Sequence, residues 1–408
     1  MYNVLTLNKI AACGTDLLDK SKYTVGDDIA NPDAILVRSA SMHEMELPSN
    51  LLAIARAGAG VNNIPIDKCS EQGVVVFNTP GANANAVKEL VIAGLLLSSR
   101  KIPAAMDWIK TLKGKGDEVG KLVEKGKSQF VGPEIMGKKL GVIGLGAIGI
   151  LVANAAAELG MDVYGADPFL SVENALKLSG KVHYVKSNKE IFEKCDYITL
   201  HVPALPDTKG MINAEAIASM KKTVRLLNFA RDTLVDEKAI IDALANGGMA
   251  VDIVAAGLHQ TDLIVDVISQ LGAPLDADDI AVLGLDGVVA MPHLGASTPE
   301  SEDNCAVMAV REISDYIENG NIRNSVNLPN VEMAISGNAK ICVIHKNSEG
   351  LLNNITAPVS AAGLNIENMV SKSKKDYAYT CLDVKGDTTG IEAAIKAVAG
   401  VVSVRVIK

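Results

Sequence analysis

Short, uninterrupted apolar runs alternate along the chain with longer segments in which apolar and polar residues are mixed. The runs at 34–37, 51–56 and 73–77 predict buried β-strands, because a strand that is covered on both faces has no polar alternation. Residues 84–99 have the length and apolar spacing of a helix. Buried strands separated by helices are typical of a parallel sheet, so residues 1–97 are predicted to form an α/β domain.

The same alternation starts again near residue 140. Strands are predicted at 140–143, 162–166, 197–202, 224–229 and 288–291, and helices at 147–159 and 236–245. Strands that alternate with helices in this way favour a doubly wound parallel sheet. The segment before them, 111–137, is polar and rich in Gly and Lys, and we interpret it as a connection or an exposed arm with no strong fold signal.

A third pattern fills the C-terminal region. An amphipathic helix is predicted over 301–317, and residues 324–330 have the composition of a linker. Beyond the linker the predicted order is strand, helix, strand, helix, strand, with one further strand near 365–370. This order is that of a small split βαβ sandwich.

Composition and charge narrow the range of functions. The 408 residues allow two or three domains, and a chain that is 48% apolar and 21% charged is ordinary for a soluble globular protein. The net charge of -9 argues against nucleic acid or an anionic membrane as the main partner. An anionic substrate would therefore need a local basic pocket, which makes single Arg, Lys and His residues informative.

The six cysteines are far apart and form no CxxC pair, so we expect reduced thiols and neither a disulfide framework nor a metal site. The N-terminal residues run directly into a predicted strand with no basic and apolar leader, and no apolar run reaches membrane-spanning length. We therefore expect a cytoplasmic protein.

Residues 144–149, with the sequence GLGAIG, follow a predicted strand and open a predicted helix. In this context Gly144 allows a tight turn, Gly146 lets the backbone approach a pyrophosphate, and Gly149 lets the helix pack against the strand. The helix N-terminus offers free N–H groups to the phosphates. Asp167 directly follows the next predicted strand, and a carboxylate at this position accepts hydrogen bonds from the ribose of NAD and repels the 2′-phosphate of NADP. The loop predicts an NAD site; a glycine-rich turn that binds nothing is the alternative.

Hydride transfer to NAD from a carbon that bears oxygen needs an acid/base for the hydroxyl proton and a cation for a substrate carboxylate. His293 follows the predicted strand 288–291, and Arg231 follows 224–229. Open α/β sheets build their sites at such strand ends. Imidazole has a pKa near neutrality, and guanidinium binds a carboxylate in a bidentate manner. On spacing alone, His293 could equally be an ordinary loop histidine, and Arg231 could equally form an ion pair at the surface.

Six segments occur in the order found in the D-2-hydroxyacid dehydrogenases. They are RS at 38–39, RAGAGVN at 56–62, the loop 144–149 with Asp167, HVP at 201–203, NFAR at 228–231 and PHLGAS at 292–297. The chain resembles this family over nearly its whole length, and most of all its members that oxidise 3-phospho-D-glycerate in serine biosynthesis and carry a C-terminal ACT domain. The resemblance implies an α/β fold with four parts: a flavodoxin-like substrate domain (1–97 and 294–323), a Rossmann NAD-binding domain (98–293), a linker (324–337) and a ferredoxin-like ACT regulatory domain (338–408).

The resemblance also implies roles for single residues, with Arg231 binding the substrate carboxylate and His293 acting as the acid/base. The residues that it places at the cofactor are Gly144, Gly146, Ala147, Ile148, Gly149, Asp167, His201, Val202, Pro203, Thr208, Ala230, Arg231, His293, Gly295 and Ala296. Those that it places at the substrate are Arg38, Ser39, Gly58, Ala59, Gly60, Asn83, Arg231 and His293, of which Arg38, Ser39 and Asn83 match positions near the phosphate.

The sequence departs from the family at the partner of the histidine. The usual partner is a Glu between the arginine and the histidine, which raises the pKa of the imidazole. This chain has no Glu between Glu237 and Pro299. Counting from Arg231 assigns the position to Gln260, an amide that can orient the ring but stabilises imidazolium less than a carboxylate. The alternatives are Asp262, Asp279 and Asp286.

His345 and Asn347 stand between a predicted strand and a predicted helix, and Asn365 comes later. Capping of a helix and ordinary surface polarity would account for them. The resemblance to an ACT domain implies instead that they bind serine as a feedback inhibitor, which requires serine to bind two conformational states unequally.

Two other functions compete with oxidation of the phosphorylated acid. One is another D-2-hydroxyacid dehydrogenase, acting on glycerate or hydroxypyruvate. The other is a non-catalytic protein that senses NAD, an idea that the missing Glu favours and that His293 and Arg231 oppose. The family further implies a homodimer or homotetramer, formed through an arm near Trp108 and through the ACT region.

Overall fold

The computed structural model describes residues 1–245, 253–256, 288–291 and 294–408. They divide into two compact units, Met1–Asn83 with Pro299–Lys408 and Ala84–Thr298. No helix in these four ranges is long and apolar enough to cross a membrane. Nor do three or more of their His, Cys, Asp and Glu side chains come together as a metal site.

The first unit begins with a five-stranded parallel sheet. Its strands are β1 (Tyr2–Thr6), β2 (Tyr23–Gly26), β3 (Ala34–Val37), β4 (Ala53–Arg56) and β5 (Val75–Asn78), with helices α1 (Ala12–Thr15) and α2 (Ile66–Gln72) between them. The strand order is β2-β1-β3-β4-β5. This order confirms the predicted flavodoxin-like fold. The three apolar runs of the sequence are the three buried strands β3, β4 and β5.

The second unit contains a seven-stranded parallel sheet. Its strands are β6 (Lys139–Ile143), β7 (Asp162–Ala166), β8 (His183–Tyr184), β9 (Tyr197–Leu200), β10 (Arg225–Asn228), β11 (Ile253–Ala256) and β12 (Val288–Met291). Its helices are α3 (Ala84–Arg100), α4 (Ile102–Lys110), α5 (Val119–Gly126), α6 (Ala147–Glu158), α7 (Val172–Lys177), α8 (Asn188–Lys194), α9 (Ala214–Ser219) and α10 (Glu237–Ala245). The order β12-β11-β10-β9-β6-β7-β8 is the doubly wound Rossmann order, as predicted, with its switch point between β6 and β9.

Helix α3 packs within the second unit. Its buried residues Val87, Val91 and Leu95 share a hydrophobic core with Ile150 and Ala153 of α6. The helix was predicted over 84–99 and is confirmed. The boundary between compact units lies at its first residue, whereas the sequence placed a domain boundary at its end.

The segment 111–137 contains more regular structure than its composition indicates. Helix α5 is flanked by the 3₁₀ helices Gly116–Glu118 and Lys127–Phe130. The rings of Trp108 and Phe130 pack with their centroids 5.2 Å apart, and a Cβ at Gly126 would collide with the indole. Most of the other side chains in the segment are exposed. Helix α5 has amphipathic spacing but buries no residue, and it was missed because the segment as a whole is polar and rich in Gly and Lys.

The chain returns to the first unit through helix α11 (Pro299–Asn319), which extends the predicted helix 301–317 at both ends. The side chains of Ala309, Ile313 and Tyr316 share a core with Val4 and Phe77 of the first sheet. This helix therefore covers one face of that sheet.

The last seventy residues form a four-stranded antiparallel sheet with two helices. Its elements are β13 (Ala339–Lys346), α12 (Leu351–Ala361), β14 (Asn365–Lys374), β15 (Tyr377–Lys385), α13 (Ile391–Lys396) and β16 (Val401–Ile407). The order β14-β15-β13-β16 is the ferredoxin-like arrangement, as predicted. The extra strand predicted near 365–370 is β14, which continues to Lys374.

The helix-free face of this C-terminal module packs on α11, and two of its polar side chains bind the end of that helix. The ammonium group of Lys340 is fully buried and donates to the carbonyl oxygens of Asn319, at 2.7 Å, and Met333, at 2.8 Å. The hydroxyl of Tyr379 donates to the carbonyl oxygen of Gly320 at 2.8 Å. The last carbonyl groups of a helix have no hydrogen-bond donor within the helix. At the end of α11, side chains of the C-terminal module supply these donors.

Candidate functional site

The glycine loop between β6 and α6 is shaped by close backbone contacts. Gly144 has a φ of 95°, which favours glycine, and its N–H donates to the carbonyl oxygen of Ala166 at 2.8 Å. A Cβ at Gly144 would lie 2.5 Å from the carbonyl oxygen of His201, and a Cβ at Gly149 would collide with the carbonyl oxygen of Gly144. A Cβ at Gly146 would meet nothing within 4 Å. The open side at Gly146 fits a phosphate close to the N–H groups that begin α6 at Ala147 and Ile148.

Asp167 follows β7 and stands beside the loop. Its Oδ2 accepts from the N–H of Leu145 at 2.9 Å, and its Oδ1 accepts from the N–H of Phe169 at 2.8 Å. The nearest following cation along the chain, Lys177, is paired with Glu173 at 2.7 Å. The carboxylate is therefore held next to the loop with lone pairs to spare, which suits a ribose diol and not a 2′-phosphate.

His201 supplies an unsatisfied polar atom at the carboxyl end of β9. Its Nε2 is 3.0 Å from the hydroxyl of Thr199, while its Nδ1 is buried and has no hydrogen-bond partner in the described part of the chain. Burial lowers the pKa of His201 to about 3, so the ring is neutral at physiological pH. A buried nitrogen without a partner is expected where a ligand supplies the missing hydrogen bond.

The turn that follows carries the predicted residues Val202, Pro203 and Thr208. The hydroxyl of Thr208 donates to the carbonyl oxygen of Pro203 at 2.6 Å and accepts from the N–H of Leu205 at 2.8 Å. Thr208 therefore fixes the shape of this turn.

Arg231 follows β10 and is exposed. Its Nη1 donates to the carbonyl oxygen of Ala230 at 2.9 Å, and no carboxylate of the described residues pairs with it. Asn228 holds the turn in place, because its amide donates to the carbonyl oxygen of Arg231 at 2.8 Å and accepts from the N–H of Ala230 at 3.1 Å. The guanidinium is available to a substrate carboxylate, and Asn228 is a supporting residue that spacing did not single out.

His293 and Gln260 lie outside the described residues, as do Asp262, Asp279 and Asp286, so the acid/base and its partner stay predictions. Gly295 and Ala296 lie within the described residues, in a turn just before α11.

The first unit brings predicted substrate residues together at the carboxyl ends of β3 and β4. The Oδ1 of Asn8 accepts from the N–H groups of Arg38, Ser39 and Ala40, each at 3.0 Å. The guanidinium of Arg38 points to Glu302 of α11 at 2.7 Å, and both side chains are about half exposed. Asn8 and Glu302 were not predicted, and Glu302 stands 264 residues from Arg38 in the sequence.

The loop after β4 is built over a second guanidinium. The Nε of Arg56 donates to the carbonyl oxygen of Arg38 at 3.0 Å. Gly58 has a φ of 152°, and a Cβ there would lie 2.7 Å from Nη1 of Arg56; at Gly60 the distance would be 3.3 Å. Glycines 58 and 60 therefore let the loop lie close to Arg56, with Ala59 between them. Asn83 ends the first unit and directly precedes α3.

The predicted regulatory residues lie in two different environments. His345 is buried in β13, with Nδ1 2.8 Å from the carbonyl oxygen of Lys346 and Nε2 2.8 Å from the hydroxyl of Thr380. Burial lowers its pKa. Asn347 and Asn365 are exposed, and Asn347 donates to the carbonyl oxygen of Lys375 at 3.1 Å. The two amides thus present polar groups to solvent, whereas both ring nitrogens of His345 are engaged inside the module.

Comparison with known proteins agrees with this geometry. Residues 92–295 match the family model "D-isomer specific 2-hydroxyacid dehydrogenase, NAD binding domain". The chain is 32% identical over 366 residues to the D-3-phosphoglycerate dehydrogenase of Haemophilus influenzae, covering 89% of this chain and 83% of that protein. It is 33% identical to the enzyme of that name from Bacillus subtilis, but spans only 59% of that longer chain.

Solved structures show the same fold. An NAD⁺-bound 3-phosphoglycerate dehydrogenase of Entamoeba histolytica matches 80% of this chain and 98% of its own with a TM-score of 0.59 and 25% identity. A D-2-hydroxyisocaproate dehydrogenase structure matches 80% of this chain and all of its own with a TM-score of 0.64; at 19% identity it supports the fold alone.

Proposed function

Because this chain belongs to the D-isomer-specific 2-hydroxyacid dehydrogenase family, we propose that it oxidises 3-phospho-D-glycerate to 3-phosphohydroxypyruvate with NAD, the first step of phosphorylated serine biosynthesis. The chain is an NAD-dependent dehydrogenase. The observation that carries the choice of substrate is the basic site at Arg38 and Arg56, since a phosphate dianion needs such a site on a chain of net charge -9.

In the proposed reaction Arg231 binds the substrate carboxylate through its guanidinium, and His293 takes the proton from the C2 hydroxyl. The C–H electron pair leaves C2 as hydride, the C2–O bond becomes a carbonyl, and bound NAD supplies the hydride acceptor. The resemblance to the family assigns N–H groups of the turn at 58–62 to the carboxylate and assigns Arg38, Ser39 and Asn83 to the phosphate. On the family's pattern the residue that orients His293 would be Gln260, with Asp262, Asp279 and Asp286 as the alternatives; a neutral amide raises the pKa of an imidazole less than a carboxylate does.

The test follows NADH absorbance with 3-phosphohydroxypyruvate and, separately, with hydroxypyruvate. The proposal expects kcat/KM to fall by about a hundredfold or more when the phosphate is absent, because charge-assisted hydrogen bonds to it are lost. Equal values for the two substrates would favour a dehydrogenase of glycerate or hydroxypyruvate. NADH binding without turnover of either substrate would favour the NAD-sensing alternative.

We further propose that serine binds as a feedback inhibitor across an interface between two domains, with His345 and Asn347 on one side and Asn365 on the other, because Asn347 contacts the Lys375 end of β14 whereas Asn365 begins that strand. The exposed amides support this site, and the resemblance to ACT domains motivates it. Velocity measured against serine concentration should fall in the unchanged protein and fall less in Asn365→Ala. Identical kcat and KM with and without millimolar serine would remove the proposal.

We also propose that the enzyme is a cytoplasmic homodimer or homotetramer. Ile102, Met106 and Ile109 of α4 are exposed apolar residues of the kind that association buries. All six cysteines are free, as in a reducing compartment. Sedimentation equilibrium of the unchanged chain and of Met106→Glu tests the association, which the charge should weaken.

A further inference from the structure

A groove of about 770 Å³ runs along α11 in the first unit, and its lining residues are not among those of the sites described above. One wall is the helix, including Met308, Arg311 and Glu312. The opposite wall includes Ala82 and Asn324. Asn83, a predicted substrate residue, directly follows Ala82.

Glu312 is the unusual member of this lining. Its side chain is 7% exposed although it carries a carboxyl group. Oε1 accepts from the amide of Asn324 at 2.8 Å, but Oε2 is buried and has no hydrogen-bond partner among the described residues. A buried polar atom without a partner is costly, and native proteins keep few of them. Burial also raises the pKa of Glu312 to about 8, so that its carboxyl group holds a proton more readily near neutral pH.

The pair of Glu312 and Asn324 is held firmly by the backbone. Asn324 has a φ of 52°, in the left-handed region, and its carbonyl oxygen accepts from the N–H of Asn78 at 3.4 Å. The next residue, Ser325, bridges to Phe77 of β5. The backbone beside Glu312 is therefore fixed to β5 at Asn324 and Ser325.

Glu318 and Arg323 of the groove are paired with opposite charges, whereas the partners of Asp315 are neutral amide groups. Asp315 accepts from the amide groups of Asn319 and Asn321, Glu318 binds Lys22 and Tyr23, and Arg323 binds Glu332. Arg311 is exposed, and within the described ranges no carboxylate pairs with it.

We propose that this groove binds a small zwitterion, whose ammonium group donates to Oε2 of Glu312 and whose anionic group meets Arg311. When Glu312 is ionised, its Oε2 lacks a donor, and Arg311 lacks an anionic partner among the described residues. A simple cation would satisfy only the first group. The bound ammonium keeps Glu312 ionised, so binding near neutral pH releases a proton. The site does not depend on the dehydrogenase assignment.

The test uses isothermal titration calorimetry of the full chain at pH 7 with four probes: β-alanine and 4-aminobutyrate as zwitterions, ethylammonium as a cation and propionate as an anion. These zwitterions avoid α-amino acids, which could also occupy the proposed site near Asn365. We expect saturable binding of at least one zwitterion, and about tenfold weaker binding of both singly charged probes. Repeating the titration in buffers of different ionisation enthalpy measures the released proton.

Two variants and a control decide the assignment. Glu312→Gln and the exposed Arg311→Gln should each weaken zwitterion binding by about tenfold or more, and Glu312→Gln should abolish the proton release. Glu173→Gln, which breaks an exposed ion pair in the other unit, should bind as the unchanged chain does. Arg311→Gln keeps the test decisive if Glu312→Gln fails to fold. No saturable binding of either zwitterion at millimolar concentration, or unchanged binding in Arg311→Gln, would overturn the proposal.

Discussion

His201, whose Nδ1 is buried, makes the stability of the NAD-binding unit sensitive to acid. With a pKa of about 3 in the folded chain and about 6.5 when unfolded, the ring takes up its proton more readily in the unfolded state. Its contribution to stability is therefore unchanged above pH 6.5 and becomes unfavourable as the pH falls from 6.5 towards 3. The largest slope that one such group produces is about 1.4 kcal/mol per pH unit.

Replacing His201 with Asn should flatten this acid sensitivity. We expect the free energy of unfolding of His201→Asn to fall less steeply between pH 6.5 and 4 than that of the unchanged chain, as measured by urea denaturation at each pH. The matched control is His183→Asn, which removes an exposed histidine that pairs with Asp162 at 3.0 Å. Parallel curves for the unchanged chain and His201→Asn would mean that His201 is not buried as a neutral ring.

Arg38 should control affinity for a substrate phosphate. Removal of its guanidinium in Arg38→Gln is expected to raise KM for 3-phosphohydroxypyruvate by about tenfold or more, because charge-assisted hydrogen bonds are lost, and to leave KM for hydroxypyruvate unchanged. Glu302→Gln should have the opposite and smaller effect, about twofold, because an exposed ion pair competes only weakly for Arg38. Steady-state kinetics with both substrates measure the two effects.

The control for these kinetics is Lys22→Gln, which breaks the ion pair of Lys22 with Glu318 in the same unit. A change in KM that is equal for both substrates in Arg38→Gln would show that Arg38 supports the fold of the loop and does not bind phosphate.

Among the elements, α11 has the clearest dependence on another part of the chain. Its last carbonyl groups bind Lys340, and the guanidinium of Arg405 donates to the carbonyl oxygens of Tyr316 at 3.2 Å and Ile317 at 2.7 Å. Positive groups at a helix C-terminus also interact favourably with the helix dipole. The C-terminal module therefore stabilises the helix on which the first sheet packs.

Lys340→Met should destabilise the first unit by about 2–4 kcal/mol, because it leaves buried carbonyl groups without donors. Arg405→Met should cost a similar amount, and the double variant less than the sum, since both side chains hold the same helix end. Urea denaturation gives the three values. The control is Lys346→Met, which removes an exposed hydrogen bond from Lys346 to the hydroxyl of Tyr377. It should change the free energy of unfolding by no more than about 0.5 kcal/mol. Additive effects would mean that the two cations act on separate regions.

The elements also show what periodicity can and cannot predict. Strands such as β3 and β6 are buried runs, so the apolar pattern alone located them. Helix α5 and its flanking 3₁₀ turns bury little, and hence their polar sequence looked like an arm without structure. In the site, Gly144 and Asp167 belong to one local motif and were predicted, whereas Asn8, Arg56 and Glu302 act through contacts with Arg38 from other segments. A single sequence contains no direct signal for such long-range contacts.

For the whole molecule, two buried thiols allow the stability of each compact unit to be measured separately. Cys69 lies in the core of the first unit and Cys195 in the core of the second, and both are fully buried. Burial raises the pKa of each to about 12. Neither thiol should react with a maleimide until its own unit opens, whereas the exposed Cys13 reacts at once.

NAD should protect one of these thiols more than the other. A ligand present at a hundred times its Kd stabilises the state that binds it by about 2.7 kcal/mol, which slows labelling through unfolding by about a hundredfold. Because the glycine loop and Asp167 lie in the second unit, NAD should slow the labelling of Cys195 by this factor and that of Cys69 far less. Mass spectrometry after timed labelling in moderate urea gives both rates in one sample. AMP, which lacks the pyrophosphate that the loop at Gly146 would hold, is the matched control and should protect weakly. Equal protection of Cys69 and Cys195 by NAD would mean that the two units open only together, as one cooperative block.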